Sequence, residues 1–348
     1  MGRQMIPSLD GIRALSILIV FAAHAGVSRL IPGGFGVTVF FFLSGFLITS
    51  LLIAEHARYG SISIKGFYLR RIVRLGPPLL VTLAFAVLLV VLGVAEGDLD
   101  PEKILSHIFF YSNYLIVFSS NFASNVEGLG ILWSLAVEEH FYLFYPWFFL
   151  LLATGKIGLR GLLAILLVIL LWRVFWYVGF GATEEEIYVR TDTRIDSLLY
   201  GCLLAFMVSD GTAARLFPKK YIYPVLALCG LALIFTFVFR DPTFRSTLRY
   251  SVQGLALLPM FYYAVTLNDL WLFKPLNWGP VRRIGQYSYT MYLIHFVIIK
   301  ALVFNGIAVE SMPLFVLTAF VLSVVYSALV FEFFEKPLKP LRQRLTGH

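Results

Sequence analysis

Eleven ionisable side chains fall inside strongly apolar stretches of this sequence: Arg13, His24, Glu138, Glu139, His140, Arg173, Asp192, Arg194, Asp196, His295 and Lys300. A charge held at the centre of a bilayer costs roughly 3 kcal/mol on insertion scales, so each is a candidate for function. A histidine changes charge near neutrality, which makes His24 a candidate general base. Glu138 is a candidate for orienting that imidazole and stabilising its charged form. Arg71 and Arg74 are three residues apart, so a helix would turn both guanidinium forks to one region, where they match phosphate oxygens. Simpler roles stay open for several of them. Arg173 and Lys300 can snorkel, Arg71 and Arg74 can serve anionic lipid head groups, and Asp192, Arg194 and Asp196 can neutralise one another.

The elements that must position these groups follow from composition. The chain has 348 residues, of which 59% are hydrophobic and 14% charged, against about 45–50% apolar and about 25% charged for soluble domains. With 33 Phe, 18 Tyr and 6 Trp, disorder is excluded as well. The formal charge of +8 lies between apolar runs and forms no basic stripe with stacking aromatics, so nucleic acid is not an expected partner. Cys202 and Cys229 sit within apolar stretches and read as core residues.

A crossing helix needs about 20 apolar residues, which places spans near 8–28, 34–54, 76–95, 131–153, 159–180, 193–209, 221–240, 246–267, 285–305 and 312–334. The stretch 104–118, which carries His107 and Asn113, is shorter and is read as not crossing. Lys and Arg mark cytoplasmic loops. With ten crossings and both termini in the cytoplasm, 18 basic residues fall inside, 6 outside and 4 within spans. Arg3 with the run Leu15 to Ala22 imitates a signal peptide, but Asp10 and Arg13 interrupt that run and a second apolar segment follows closely, so a retained first span is expected. The fold class expected is thus all-α, a polytopic helix bundle forming one integral-membrane domain over 1–348.

This topology assigns depths. His24 lies about 24 Å outward along its span and Glu138 about 10 Å inward along its own. Asp192, Arg194 and Asp196 enter from the same outer side and, with His295, are the candidate acceptor-binding residues. Arg13 and His24 share one helix face about 16 Å apart. No nucleophile elbow, Walker loop or metal cluster with usable spacing is found.

The sequence resembles the integral-membrane acyltransferase-3 family. The resemblance rests on SLDGIRALSILIVFAAHAG at 8–26, GGFGVTVFFFLSGFLIT at 33–49, FYLRRIVRLGPP at 67–78, LWSLAVEEHFYLFYP at 132–146, TDTRIDSLLYG at 191–201, IGQYSYTMYLIH at 284–295 and EKP at 335–337, in that order. It implies that Arg13 and His24 are the family's first-span pair, with His24 the base. It also implies that Arg71 and Arg74 form the R-x-x-R element at the donor site, with Arg13 assisting, and that Glu138 is the acidic position of W-S-L-x-x-E. Family members commonly have Gln where this chain has His140. Some carry an added extracytoplasmic domain of the SGNH hydrolase type, and this chain resembles the stand-alone form.

The activity implied is transfer of an acyl group, acetyl above all, from acetyl-CoA to a hydroxyl of a cell-surface or lipid-linked glycan, without a metal, in the bacterial cytoplasmic membrane. The implied partners are a coenzyme A thioester, a glycan or lipid-linked sugar and membrane lipids. The rival from another class is a multi-pass transporter or flippase. It would call for inverted repeats and paired interrupted helices, and the sequence has neither.

Overall fold

The apolar runs fold into helices whose polar residues turn inward, because a backbone crossing hydrocarbon must satisfy its own hydrogen bonds. The computed structural model describes residues 7–27, 32–119, 126–155, 157–307 and 311–345. Arg3, Arg29 and Lys156, all used in the charge count above, lie outside the described residues. Ten helices of 14 residues or more organise the described chain. They are α1 (Pro7–His24), α2 (Gly33–Tyr59), α3 (Ile64–Val91), α4 (Trp133–Ala153), α5 (Gly158–Val174), α6 (Asp196–Ser209), α7 (Ile222–Val238), α8 (Leu248–Thr266), α9 (Gly279–Phe304) and α10 (Met312–Val330). Helical turns of π type extend α5 over Phe175–Gly179 and α10 over Phe331–Glu335.

Among the described residues, seven helices are long and apolar enough to cross a membrane. The three long helices outside that set are α4, α6 and α8. Glu138, Glu139 and His140 dilute α4, Arg249 and Gln253 dilute α8, and α6 has only 14 residues. The stretch near 104–118 forms two short helices, Pro101–Ile108 and Ser112–Phe118. Phe110 breaks them apart with a left-handed φ of 60°, and neither is long enough to cross alone.

One expected break is absent. Gly76, Pro77 and Pro78 suggest a boundary before the third span, yet α3 runs through them from Ile64 to Val91. Proline removes backbone donors and leaves carbonyls one turn earlier short of partners. Close to the prolines the Tyr289 hydroxyl of α9 donates to the Leu75 carbonyl at 3.0 Å, tying α3 to α9. Arg71 and Arg74 therefore belong to a continuous helix instead of a loop.

The core is set by α2 against α6 and α1 against α9. Both contacts bring backbone to backbone at glycine, as is common where membrane helices associate. A Cβ on Gly45 would stand 1.9 Å from the Leu198 carbonyl oxygen, and one on Gly201 would stand 2.0 Å from that of Phe42. Cys202 and Cys229 are both buried and unbridged.

Candidate active site

The α1–α9 contact aligns two histidines. His24 Nδ1 lies 2.9 Å from His295 Nε2, with the rings near parallel, and Phe296 stacks on His24 at 4.4 Å between centroids. His295 Nδ1 is in turn 3.0 Å from the Met291 carbonyl oxygen and 2.9 Å from that of Tyr292. Carbonyls only accept, so His295 Nδ1 carries the hydrogen and, in the neutral ring, Nε2 is left with its lone pair. His24 Nδ1 must then donate. Neutral His24 is held in the tautomer whose Nε2 lone pair is available to take a proton.

A second group of side chains surrounds a cavity of about 190 Å³. Arg13 of α1, Arg71 and Arg74 of α3, Glu138 and Tyr142 of α4 and Tyr292 of α9 line it. Three guanidinium groups from two helices thus converge on one space. Asp10 pairs with Arg13 at 3.3 Å, and the Arg71 guanidinium carbon lies 4.2 Å from the centre of the Tyr142 ring. The Tyr142 hydroxyl donates to Glu138 Oε2 at 3.2 Å and pairs with Ser44.

Glu138 does not orient His24, contrary to the sequence expectation. Its carboxylate meets Tyr142, one helical turn along α4, while His24 meets His295. Tyr292 stands between the two groups. It lines the cavity on one side, its ring centre is 5.8 Å from that of His295, and its hydroxyl is tied to Ser134 at 2.7 Å and donates to the Ile131 carbonyl at 2.9 Å. Tyr292 thus lines the cavity and His24 does not. His295, expected as an acceptor contact, has both ring nitrogens engaged within the protein.

The trio at the start of α6 does not neutralise itself. Asp196 pairs with Arg173 at 2.7 Å, both side chains almost fully buried, and Arg173 also donates to the Thr193 carbonyl and to Ser251. Arg173 therefore does not snorkel. Asp192 accepts from Arg190 and from the Trp172 indole. Arg194, also fully buried, has no carboxylate within 4.0 Å among the described residues; it donates to Thr38 and sits against aromatic faces, the nearest being Tyr250 at 3.9 Å. Asp192, Arg194 and Asp196 line neither the arginine cavity nor a second one, of about 280 Å³, formed by Pro32, Gly34, Tyr188, Arg249 and Tyr250 among others. His140 meets Thr191 at 2.7 Å, and Lys300 pairs with Glu127. Among the described residues no cluster of His, Cys, Asp and Glu could hold a metal ion.

Sequence reasoning missed the partnership of His295 with His24, the Arg173–Asp196 pair and the wall made by Tyr292. The spacing Tyr292-x-x-His295 is the one available signal, since it places both side chains on one helix face.

Residues 6–332 match the family described as an acyltransferase domain. The chain is 31% identical to the peptidoglycan O-acetyltransferase OatA of Listeria monocytogenes over 86% of its own length and 50% of that protein. It is 30% identical to a putative O-acetyltransferase of Staphylococcus aureus strain COL, over 97% of its length and 58% of that protein. It is likewise 30% identical to the O-acetyltransferase OatA of Staphylococcus aureus strain NCTC 8325, over 97% and 57%. The chain thus spans about half the length of the curated relatives it matches. No solved structure matches it.

Proposed function

The chain belongs to the acyltransferase-3 family, and from that premise we propose that it transfers an acyl group, acetyl in the first instance, from a coenzyme A thioester to a hydroxyl of a cell-envelope glycan. The observation that carries this reading is the convergence of Arg13, Arg71 and Arg74 on one cavity that Tyr292 also lines, and Tyr292 adjoins the His24–His295 pair. Coenzyme A bears several phosphates, and guanidinium forks bind phosphate in bidentate fashion. The thioester arm of the donor would enter this cavity, with its phosphates toward Arg71 and Arg74. Ten crossings with cytoplasmic termini would turn the arginine end to the cytoplasm, where coenzyme A is made.

A sugar hydroxyl is a weak nucleophile until its proton leaves. In the proposed reaction His24 Nε2 takes that proton as the oxygen attacks the thioester carbonyl. The resulting imidazolium keeps its Nδ1 hydrogen on His295. When the carbon–sulfur bond breaks, the proton on Nε2 passes to the departing thiolate, so an ester and free coenzyme A form and His24 returns to its starting state. Glu138 acts at the arginine end in this scheme. Through Tyr142 it would set the position of Arg71, whose guanidinium lies over that ring. The names of the relatives in Listeria and Staphylococcus support acetyl as the group and peptidoglycan as the first acceptor to try.

The test is direct. Purified protein in lipid nanodiscs is given acetyl-CoA with and without peptidoglycan fragments, while free thiol and acetylated sugar are measured together. Thiol release coupled to sugar acetylation is expected. Acetyl-CoA that neither binds nor turns over would exclude the donor reading.

A further inference from the structure

The second cavity lies beside the start of α2, where Pro32, Gly34 and Phe35 line it, whereas α2 lines the arginine cavity from Val37 to Leu51. Arg249 and the Arg245–Glu184 pair line it, and Arg194 lies behind its Tyr250 wall. Arg194 and Arg249 both lie against the ring of Tyr250, their guanidinium carbons 3.9 and 4.8 Å from its centre. Both residues are buried, and among the described residues neither has a carboxylate within 4.0 Å.

Three of the nearby acids pair with other arginines. Asp196 is bound to Arg173, Asp192 to Arg190, and Glu184 to Arg245 at 2.9 Å. Glu185 lines the cavity but is exposed to solvent. Arg249 donates to the Tyr250 hydroxyl at 2.7 Å, a neutral partner, and it faces the cavity. An aromatic face attracts a guanidinium but supplies no counter-charge. Arg249 thus presents to the cavity a buried guanidinium that has a neutral partner, where an anion from outside the protein would be stabilised.

We propose that this cavity binds an oxyanion carried by the acceptor, a carboxylate or phosphate close to the sugar hydroxyl that receives the acyl group. Arg249 makes the direct contact and Arg194 strengthens the field from behind Tyr250. The inference deepens the acyl-transfer reading and rests on it for the identity of the ligand as acceptor.

The experiment is calorimetric titration of the full chain in nanodiscs, without donor, using three probes. N-acetylmuramic acid carries a carboxylate, N-acetylglucosamine 1-phosphate a phosphate, and N-acetylglucosamine neither. At least one anionic sugar is expected to bind about tenfold more tightly than the neutral one, and the tighter of the two identifies the oxyanion. Arg249→Gln should remove the preference and Arg249→Lys should keep much of it. Equal binding of all three sugars, or a preference that survives Arg249→Gln, overturns the proposal. If Arg249→Gln does not fold, salt dependence of the unaltered protein decides: a preference that sodium chloride erodes supports the site, and one indifferent to salt refutes it. Because no donor is present, failure of acyl transfer leaves this result standing; coenzyme A release reports on that reading separately.

Discussion

His24 Nδ1 lies 2.9 Å from His295 Nε2, and the far nitrogen of His295 is held by two backbone carbonyls one turn back along α9. This chain of hydrogen bonds has one consistent direction for neutral rings, and it leaves the proton-accepting nitrogen of His24 pointing away from its partner. In Ser-His-Asp triads a carboxylate performs the same orienting task. Here a second imidazole does so without adding a charge to the apolar interior.

Removing the base is the first test. His24→Ala should lower the rate of transfer by roughly 10²–10⁴-fold, the range for loss of a positioned general base. Coenzyme A binding should be unchanged, because His24 does not line the arginine cavity. Activity within a few-fold of the unaltered protein would remove His24 from the mechanism.

The role given to His295 is positioning, and it separates from packing by choice of substitute. His295→Leu fills the space but offers no acceptor to His24 Nδ1. His295→Gln offers a carbonyl oxygen near the position of Nε2. If orientation is the task, the Gln variant should keep a large part of the turnover number and the Leu variant little, at similar thermal stability. Equal loss in both, tracking a lowered melting temperature, would reduce His295 to a core residue.

Donor binding should be electrostatic. Arg71→Ala and Arg74→Ala each remove a charged hydrogen-bond donor worth about 1.5–3 kcal/mol, so affinity for coenzyme A should fall roughly ten- to a hundredfold per residue. Binding by the unaltered protein should also weaken as salt is raised. Dephospho-coenzyme A and pantetheine bound as tightly as coenzyme A would show that phosphate is not what these arginines recognise.

The sequence made some of this legible and hid the rest for definite physical reasons. Arg13, Arg71, Arg74 and Glu138 are conspicuous because ionised groups are costly in apolar helices, and the structure gathers all four around one cavity. Pairing is harder to read. His24 and His295 are 271 residues apart, and their contact depends on how α1 packs against α9. The same holds for Asp196, whose direct ion pair is with Arg173 of α5 and not with Arg194 two residues away. On a helix, residues two apart point to different sides, so nearness in sequence was the wrong guide. At Pro77 and Pro78 the local rule predicted an end to the helix. The helix instead continues through them to Val91.

Close packing of α2 on α6 gives a stability prediction independent of the chemistry. Gly45→Ala would drive a methyl group to 1.9 Å from a backbone carbonyl, with no flexible side chain to yield. The helices must separate, at a cost of about 1–3 kcal/mol by analogy with overpacked cores. A lowered melting temperature in detergent is expected. Gly230→Ala on α7, where the added carbon meets nothing within 4 Å, is the control that should not lower stability and should raise it slightly through helix propensity.

The buried ion pair between α5 and α6 makes the sharpest use of this logic. Arg173 has 0% and Asp196 1% side-chain exposure, and they meet at 2.7 Å. Taking two charges out of water is expensive, and the pair itself adds little net stability, but breaking it leaves one charge stranded at about 3–5 kcal/mol. Arg173→Leu should therefore be severely destabilising. Adding Asp196→Leu should restore much of the loss, because the stranded carboxylate goes with it. Were Asp196 instead an acceptor ligand, the double variant would regain stability while losing acceptor affinity beyond that of Arg173→Leu. Melting temperature and acceptor titration, measured on the same three proteins, separate a structural pair from a binding residue.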